Sequence, residues 1–157
     1  MFAYDYNCKI VLVGECSVGK TALTQRLVYD MYSERVDSTI GVDYSTKIFK
    51  MNDSSLVKLQ MWDTAGQENF ISLIRTYYKD VGGAIIMFDL CDRRAYNRVH
   101  FWHNELKKNA SNITAPNIKL TAKKKFRTLA FRIYLIKKSL CLFKIIFLKY
   151  ICSEEYK

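Results

Sequence analysis

The chain has 157 residues, half of them hydrophobic and a quarter charged, which is one domain's worth of sequence with enough apolar material for a buried core. A second full domain and a wholly disordered chain are both excluded. The formal charge is +10, but residues 1–118 carry 14 Lys and Arg against 13 Asp and Glu, whereas residues 119–157 carry 11 against 2; the basicity belongs to the last quarter of the chain and does not mark a nucleic-acid-binding domain.

The five cysteines, odd in number and without a Cys-x-x-Cys spacing, suggest neither a disulfide framework nor a zinc site, so reduced intracellular thiols are expected. Met1 to Lys9 lacks the basic start of a signal peptide, and the apolar run behind it is too short for one. That run, Ile10 to Val13, has the pattern of a strand buried on both faces of a parallel sheet. It leads into Gly14-Glu15-Cys16-Ser17-Val18-Gly19-Lys20-Thr21, which fits G-x-x-x-x-G-K-[ST] and precedes a helix reaching about Tyr29. The chemistry explains the spacing. Gly14 and Gly19 let the backbone curl so that N–H groups from Cys16, Ser17, Val18 and their neighbours surround a phosphate. The helix N-terminus adds a positive dipole, Lys20 supplies a point charge for β and γ phosphates, and the Thr21 hydroxyl ligates Mg²⁺.

Val42, Tyr44, Thr46 and Ile48 alternate with their neighbours, as do Val57, Leu59 and Met61, and Asn52 to Ser55 joins them: a strand, a turn and a strand. Asp63-Thr64-Ala65-Gly66-Gln67-Glu68 begins where the second of these ends. A carboxylate there is placed to hold the metal shell, Gly66 gives a backbone N–H close access to a γ-phosphate, and Gln67 is placed to orient an attacking water. Thr39 lies between the two motifs in a polar stretch with the length to fold over the metal, although a lone loop threonine is by itself most often only a loop residue. Ala84 to Phe88 is a second apolar run, and Asp92 is the expected N-cap of a helix on which Ala95, Val99, Trp102 and Leu106 recur at three and four residues. The fold class is therefore α/β, with a mostly parallel, P-loop NTPase-like sheet and helices on its faces.

Over roughly residues 8–118 the chain resembles the Ras-like small GTPases, and among them the Rab branch. The resemblance rests on the phosphate loop, on Thr39-Ile40-Gly41-Val42-Asp43-Tyr44, on Lys58 to Trp62 leading into Asp63 to Glu68, on Tyr77-Tyr78-Lys79, and on Phe88-Asp89. It implies a GTP- and GDP-binding, Mg²⁺-dependent switch of vesicle traffic, acting in the cytosol or on the cytosolic face of endomembranes with effectors and with exchange or activating proteins as partners. By resemblance Thr21, Thr39 and Asp63 ligate Mg²⁺, Thr39 also contacts the γ-phosphate, and Gly66 and Gln67 form a second switch. Ile40, Val42, Trp62, Tyr77 and Tyr78 then face effectors, with a role as core aromatics the competing reading for Trp62 and the tyrosines. Asn69 and Ile71 stand where Rab proteins usually carry Arg.

The resemblance is expected to stop near Leu120. The family reads guanine with Asn-Lys-x-Asp after its fifth strand and with a Ser-Ala-Lys-like loop further on, and neither is in place. Thr121-Ala122-Lys123 imitates the second by chance. Without a following strand, Ala84 to Phe88 is expected to be a bare sheet edge. Residues 119–157 form a basic tail of low complexity: of the 35 residues from Lys123 to Lys157, 25 are Lys, Phe, Ile, Leu or Tyr. Two readings of this tail stand: a basic amphipathic helix that lies on a membrane surface or covers the sheet, or translated non-coding sequence, which the abrupt change in composition favours. Lys137, Lys138 and Lys144 cost more near the centre of a span than the apolar residues return, so the tail is not expected to cross a membrane. Its end, Ser153 to Lys157 after Cys152, carries no prenylation motif. The alternative to a working switch is a truncated, non-enzymatic product with weak or unselective nucleotide binding and membrane contact through the tail.

Overall fold

The computed structural model describes residues 4–33, 37–67, 70–89, 91–110 and 118–123. Five strands form one sheet in the order β2-β3-β1-β4-β5. They are β1 (Tyr6–Val13), β2 (Val42–Lys50), β3 (Leu56–Thr64), β4 (Gly83–Asp89) and β5 (Ile118–Lys123). Only the β2–β3 hairpin is antiparallel; β1 pairs in parallel with both β3 and β4, and β4 with β5. The expected α/β architecture is observed.

The pattern of β1 explains its central place. Ile10 and Leu12 point into one apolar layer with Leu23, Leu27, Val57 and Leu59. Val11 and Val13 point into another, with Ile74, Ile86, Trp102 and Leu106. Side chains two apart share a face, so a continuous apolar run satisfies both layers at once. Helix α1 (Lys20–Tyr29) covers the first face; α2 (Ile71–Arg75), a 3-10 turn over Thr76–Tyr78, and α4 (Val99–Asn109) cover the second. The expected helix after Asp92 is divided: α3 (Arg93–Asn97) starts on Asp92, whose side chain accepts the Arg94 N–H, and Arg98, with ψ of −10°, separates it from α4. In the hairpin, Asp53 Oδ1 accepts the Ser55 N–H and hydroxyl, and Ser54 takes a positive φ of 66°, the short polar turn chemistry expected between two alternating strands.

The bare edge expected at β4 is not found. Strand β5 pairs along it, Ala84 opposite Ile118 and Asp89 opposite Lys123, which supplies the hydrogen bonds that an apolar edge strand would otherwise lack. Thr121, Ala122 and Lys123 therefore belong to a strand. The tail readings beyond residue 123 lie outside the described residues, and among those described no helix is long and apolar enough to cross a membrane.

Ile86 is fully buried in the layer under α4. Ile86→Ala is expected to lower unfolding stability by about 2 to 5 kcal/mol, the transfer loss plus a cavity that close-packed neighbours cannot fill. A urea midpoint unchanged from the wild type would contradict that packing.

Candidate functional site

The site is built where β1 ends and α1 begins. Gly14, at a φ of 142°, packs so closely on β4 that a Cβ would sit 2.1 Å from the Met87 carbonyl oxygen. Gly19 caps α1 at a φ of 93°, a conformation that glycine adopts without steric cost. Between them Ser17 is left-handed and Val18 is buried in the layer under α1. The side chain of Val18 thus anchors the loop, and only its backbone remains for a phosphate; Cys16 and Ser17 are exposed.

Lys20 is 5% exposed, and its ammonium donates to the Gly14 carbonyl at 2.9 Å and the Glu15 carbonyl at 2.7 Å. Burial pushes its pKa down, against the upward pull of Asp63, Cys16 and Glu15. Thr21 follows on the first turn of α1. Its Oγ1 donates to Asp63 Oδ2 at 2.5 Å and lies 2.9 Å from Thr39 Oγ1, which is itself 3.4 Å from Asp63 Oδ2. The structure thus brings together Thr21, Thr39 and Asp63, which are spread over 43 residues of sequence. Asp63 is fully buried and its Oδ1 has no hydrogen-bond partner among the described residues. Burial raises its carboxyl pKa, while the Thr21 hydroxyl and Lys20 work in the opposite direction. Two hydroxyls and one carboxylate, whose Oδ1 is left without a partner among the described residues, form a hard oxygen donor set that fits Mg²⁺.

The second motif is pressed onto the phosphate loop. A Cβ at Gly66 would fall 2.3 Å from the Cys16 nitrogen and 2.4 Å from the Glu15 carbonyl carbon, so only glycine fits. The Ala65 N–H donates to the Gly41 carbonyl at 2.8 Å, tying the segment after Thr39 to the segment after Asp63. Gln67 is exposed beside them, with its carbonyl accepting the Phe70 N–H. Glu68 and Asn69 lie outside the described residues.

Of the expected effector-facing residues, Ile40 is 85% exposed, and Val42, Trp62 and Tyr77 are half-buried. The Trp62 ring packs against Tyr44 at 4.9 Å and Tyr77 at 5.1 Å between centroids, with the Lys9 ammonium 4.8 Å from its own. Tyr78 is a correction. It is 1% exposed inside the layer under α4, because the tight 3-10 turn sends neighbouring side chains in different directions, and burial raises its phenol pKa strongly. Ile71 packs at the margin of the same layer.

Sequence reading missed a set of ties to α4. Glu15, an unconstrained position of the loop motif, accepts from Arg98 Nε at 3.0 Å and from the Trp102 indole N–H at 2.9 Å. Arg75 of α2 makes a two-pronged pair with Glu105, at 2.5 and 3.2 Å. No local pattern announces partners 83 and 30 residues apart.

A protein-family model described as "Ras family" matches residues 9–127, past Leu120, where the resemblance was expected to end. The human protein named "Ras-related protein Rab-7L1" is 39% identical over 117 residues, covering 74% of this chain and 56% of that protein. "Ras-related protein Rab-11B" of Dictyostelium discoideum is 45% identical over 107 residues, 68% of this chain and 48% of its own length. "Ras-related protein RIC1" of Oryza sativa subsp. japonica is 42% identical over 108 residues, 69% and 53%. The chain spans about half the length of these curated relatives.

Proposed function

The chain belongs to the Ras family, and from that membership and the geometry above we propose that it is a Rab-like small GTPase: a Mg²⁺-dependent switch that binds GTP and GDP and hydrolyses the first to the second. The observation that carries this reading is the convergence of Lys20, Thr21, Thr39 and Asp63 on one loop. The Thr21 and Thr39 hydroxyls and the Asp63 carboxylate would hold Mg²⁺, which when bound would supply positive charge against the phosphates. Lys20, held by the Gly14 and Glu15 carbonyls, presents its charge to the β and γ phosphate oxygens, and the loop N–H groups surround them. The Gly66 N–H, held against the loop, donates to the γ-phosphate. Gln67 orients a water whose oxygen attacks the γ-phosphorus as the bond to the bridging oxygen breaks, leaving GDP and phosphate.

Because Thr39 and Gly66 both answer to the γ-phosphate, its loss releases the two segments that the Ala65–Gly41 hydrogen bond joins, and that release is the switch. Ile40 and the Tyr44, Trp62 and Tyr77 cluster form the surface through which effectors read it, with regulators acting on the same segments. We place this activity in vesicle traffic, in the cytosol or on the cytosolic face of endomembranes.

Hydrolysis without a partner's arginine is expected to be slow, on the order of 10⁻³ per second or below. Gln67→Leu is expected to slow it by a further factor of about 10 to 100 through misplacement of the water, read in a single-turnover assay of phosphate release. A rate equal to the wild type's would remove Gln67 from the mechanism.

A further inference from the structure

The phosphate loop is held by α4 through one of its own side chains, Glu15, which has no direct business with phosphate. The Glu15 carboxylate, about one quarter exposed, accepts from Arg98 at the start of α4 and from the indole N–H of Trp102 one turn later. Positions four apart on a helix share a face, so both donors reach the same Oε1. Trp102 is 1% exposed and packs with Val13, Ile86 and Leu106, which makes it an immobile donor rather than a surface side chain that finds the carboxylate in passing. Arg98 is steadied in turn by the Phe101 ring, 4.1 Å from its guanidinium carbon.

The other side of Glu15 is its backbone, and that backbone is the working part of the loop. Its carbonyl accepts from Lys20 at 2.7 Å. The position a Cβ at Gly66 would take is 2.4 Å from its carbonyl carbon and 2.5 Å from its oxygen. The peptide between Glu15 and Cys16 thus lies between the lysine that meets phosphates and the glycine that meets the γ-phosphate.

We propose that Glu15 is a positioning residue for nucleotide binding: clamped by Arg98 and Trp102, it fixes the loop peptide that Lys20 and Gly66 both abut, and so sets how long a bound nucleotide is retained. The proposal rests on the nucleotide-switch reading above. A charge-assisted hydrogen bond strengthens the hold on a loop more than a neutral one does, and the share reaching the loop is reduced by partial exposure of the pair.

The test is the dissociation rate of a fluorescent N-methylanthraniloyl-GDP from the full chain. Glu15→Ala and Arg98→Ala are each expected to speed release about tenfold. The double variant is expected to be no faster than the faster single one, because both remove the same clamp. Glu15→Gln, which keeps an acceptor in place, is expected to recover most of the wild-type rate. Trp102→Phe deletes the N–H and keeps the ring in the core, so it reads the clamp even if an alanine variant fails to fold; release about threefold faster is expected there. A merely structural role would shift the urea midpoint and leave release unchanged, and that pattern would overturn the proposal. Fully additive rates in the double variant would overturn it as well. If release is insensitive to Glu15 while Lys20→Ala abolishes binding, the proposal falls and the nucleotide-switch reading stands; if the wild type shows no Lys20-dependent binding of the probe, both fall.

Discussion

Lys20→Ala is expected to weaken GDP binding at least a hundredfold in the presence of Mg²⁺. The ammonium is buried and already donates to the carbonyls of Gly14 and Glu15, so it holds the loop shape before any ligand arrives and, on the proposed reading, would meet β-phosphate oxygens afterwards. Hydrogen bonds to charged groups contribute about 1.5 to 3 kcal/mol each, and two of them exceed the roughly 2.7 kcal/mol that a hundredfold change represents. Chelating the metal is expected to weaken the wild type substantially and to change the variant far less. On the proposed reading both cations would neutralise the same oxygens, and a loop without its lysine would bind too weakly for the metal to report on. Titration of labelled GDP into both proteins, with Mg²⁺ and with a chelator, measures all four affinities. Four equal values would mean that Gly14 to Thr21 does not hold a phosphate at all.

Why this much could be read in advance, and no more, follows from where each signal lies. The eight residues from Gly14 to Thr21 carry their chemistry locally, with an apolar strand before them and a helix after, so the loop, Lys20 and Thr21 are legible. Asp63 is legible because the alternation of β3 ends there. Its distance from Thr21 is not, since nothing in sequence says that β1 and β3 are neighbours; only the parallel pairing of Leu12 with Asp63 puts the two strand ends side by side. Tyr77 and Tyr78 are adjacent and chemically identical, and a 3-10 turn decides which is buried. The signal for β5 was present and obscured. Ile118, Leu120 and Ala122 alternate with Lys119, Thr121 and Lys123, the period of a strand, but the change to a basic composition begins at the same point and masks it. Composition marked a boundary where the sheet continues.

That continuation sharpens the remaining question, which is what reads the base. A site that pairs the guanine edge with a buried carboxylate rejects adenine by leaving that acceptor without its donors, and discriminates by about 10⁴ or more. Here β5 ends at Lys123 without Asn-Lys-x-Asp. Thr121 to Lys123 are committed to pairing with Met87 to Asp89, and Asp89 Oδ1 already accepts the Cys91 N–H at 2.8 Å. On the proposed reading, and with no base-reading group among the described residues, the phosphates and the metal would supply nearly all the affinity, and these are common to GTP and ATP. The two are expected to bind within about tenfold of one another, a difference of roughly 1.4 kcal/mol. Competition of unlabelled GTP and ATP against labelled GDP, on folded protein whose binding depends on Lys20, measures the ratio directly. A preference for GTP above a thousandfold would mean that the base is read by residues beyond Lys123, beginning with 124–127, the last stretch over which the family match extends.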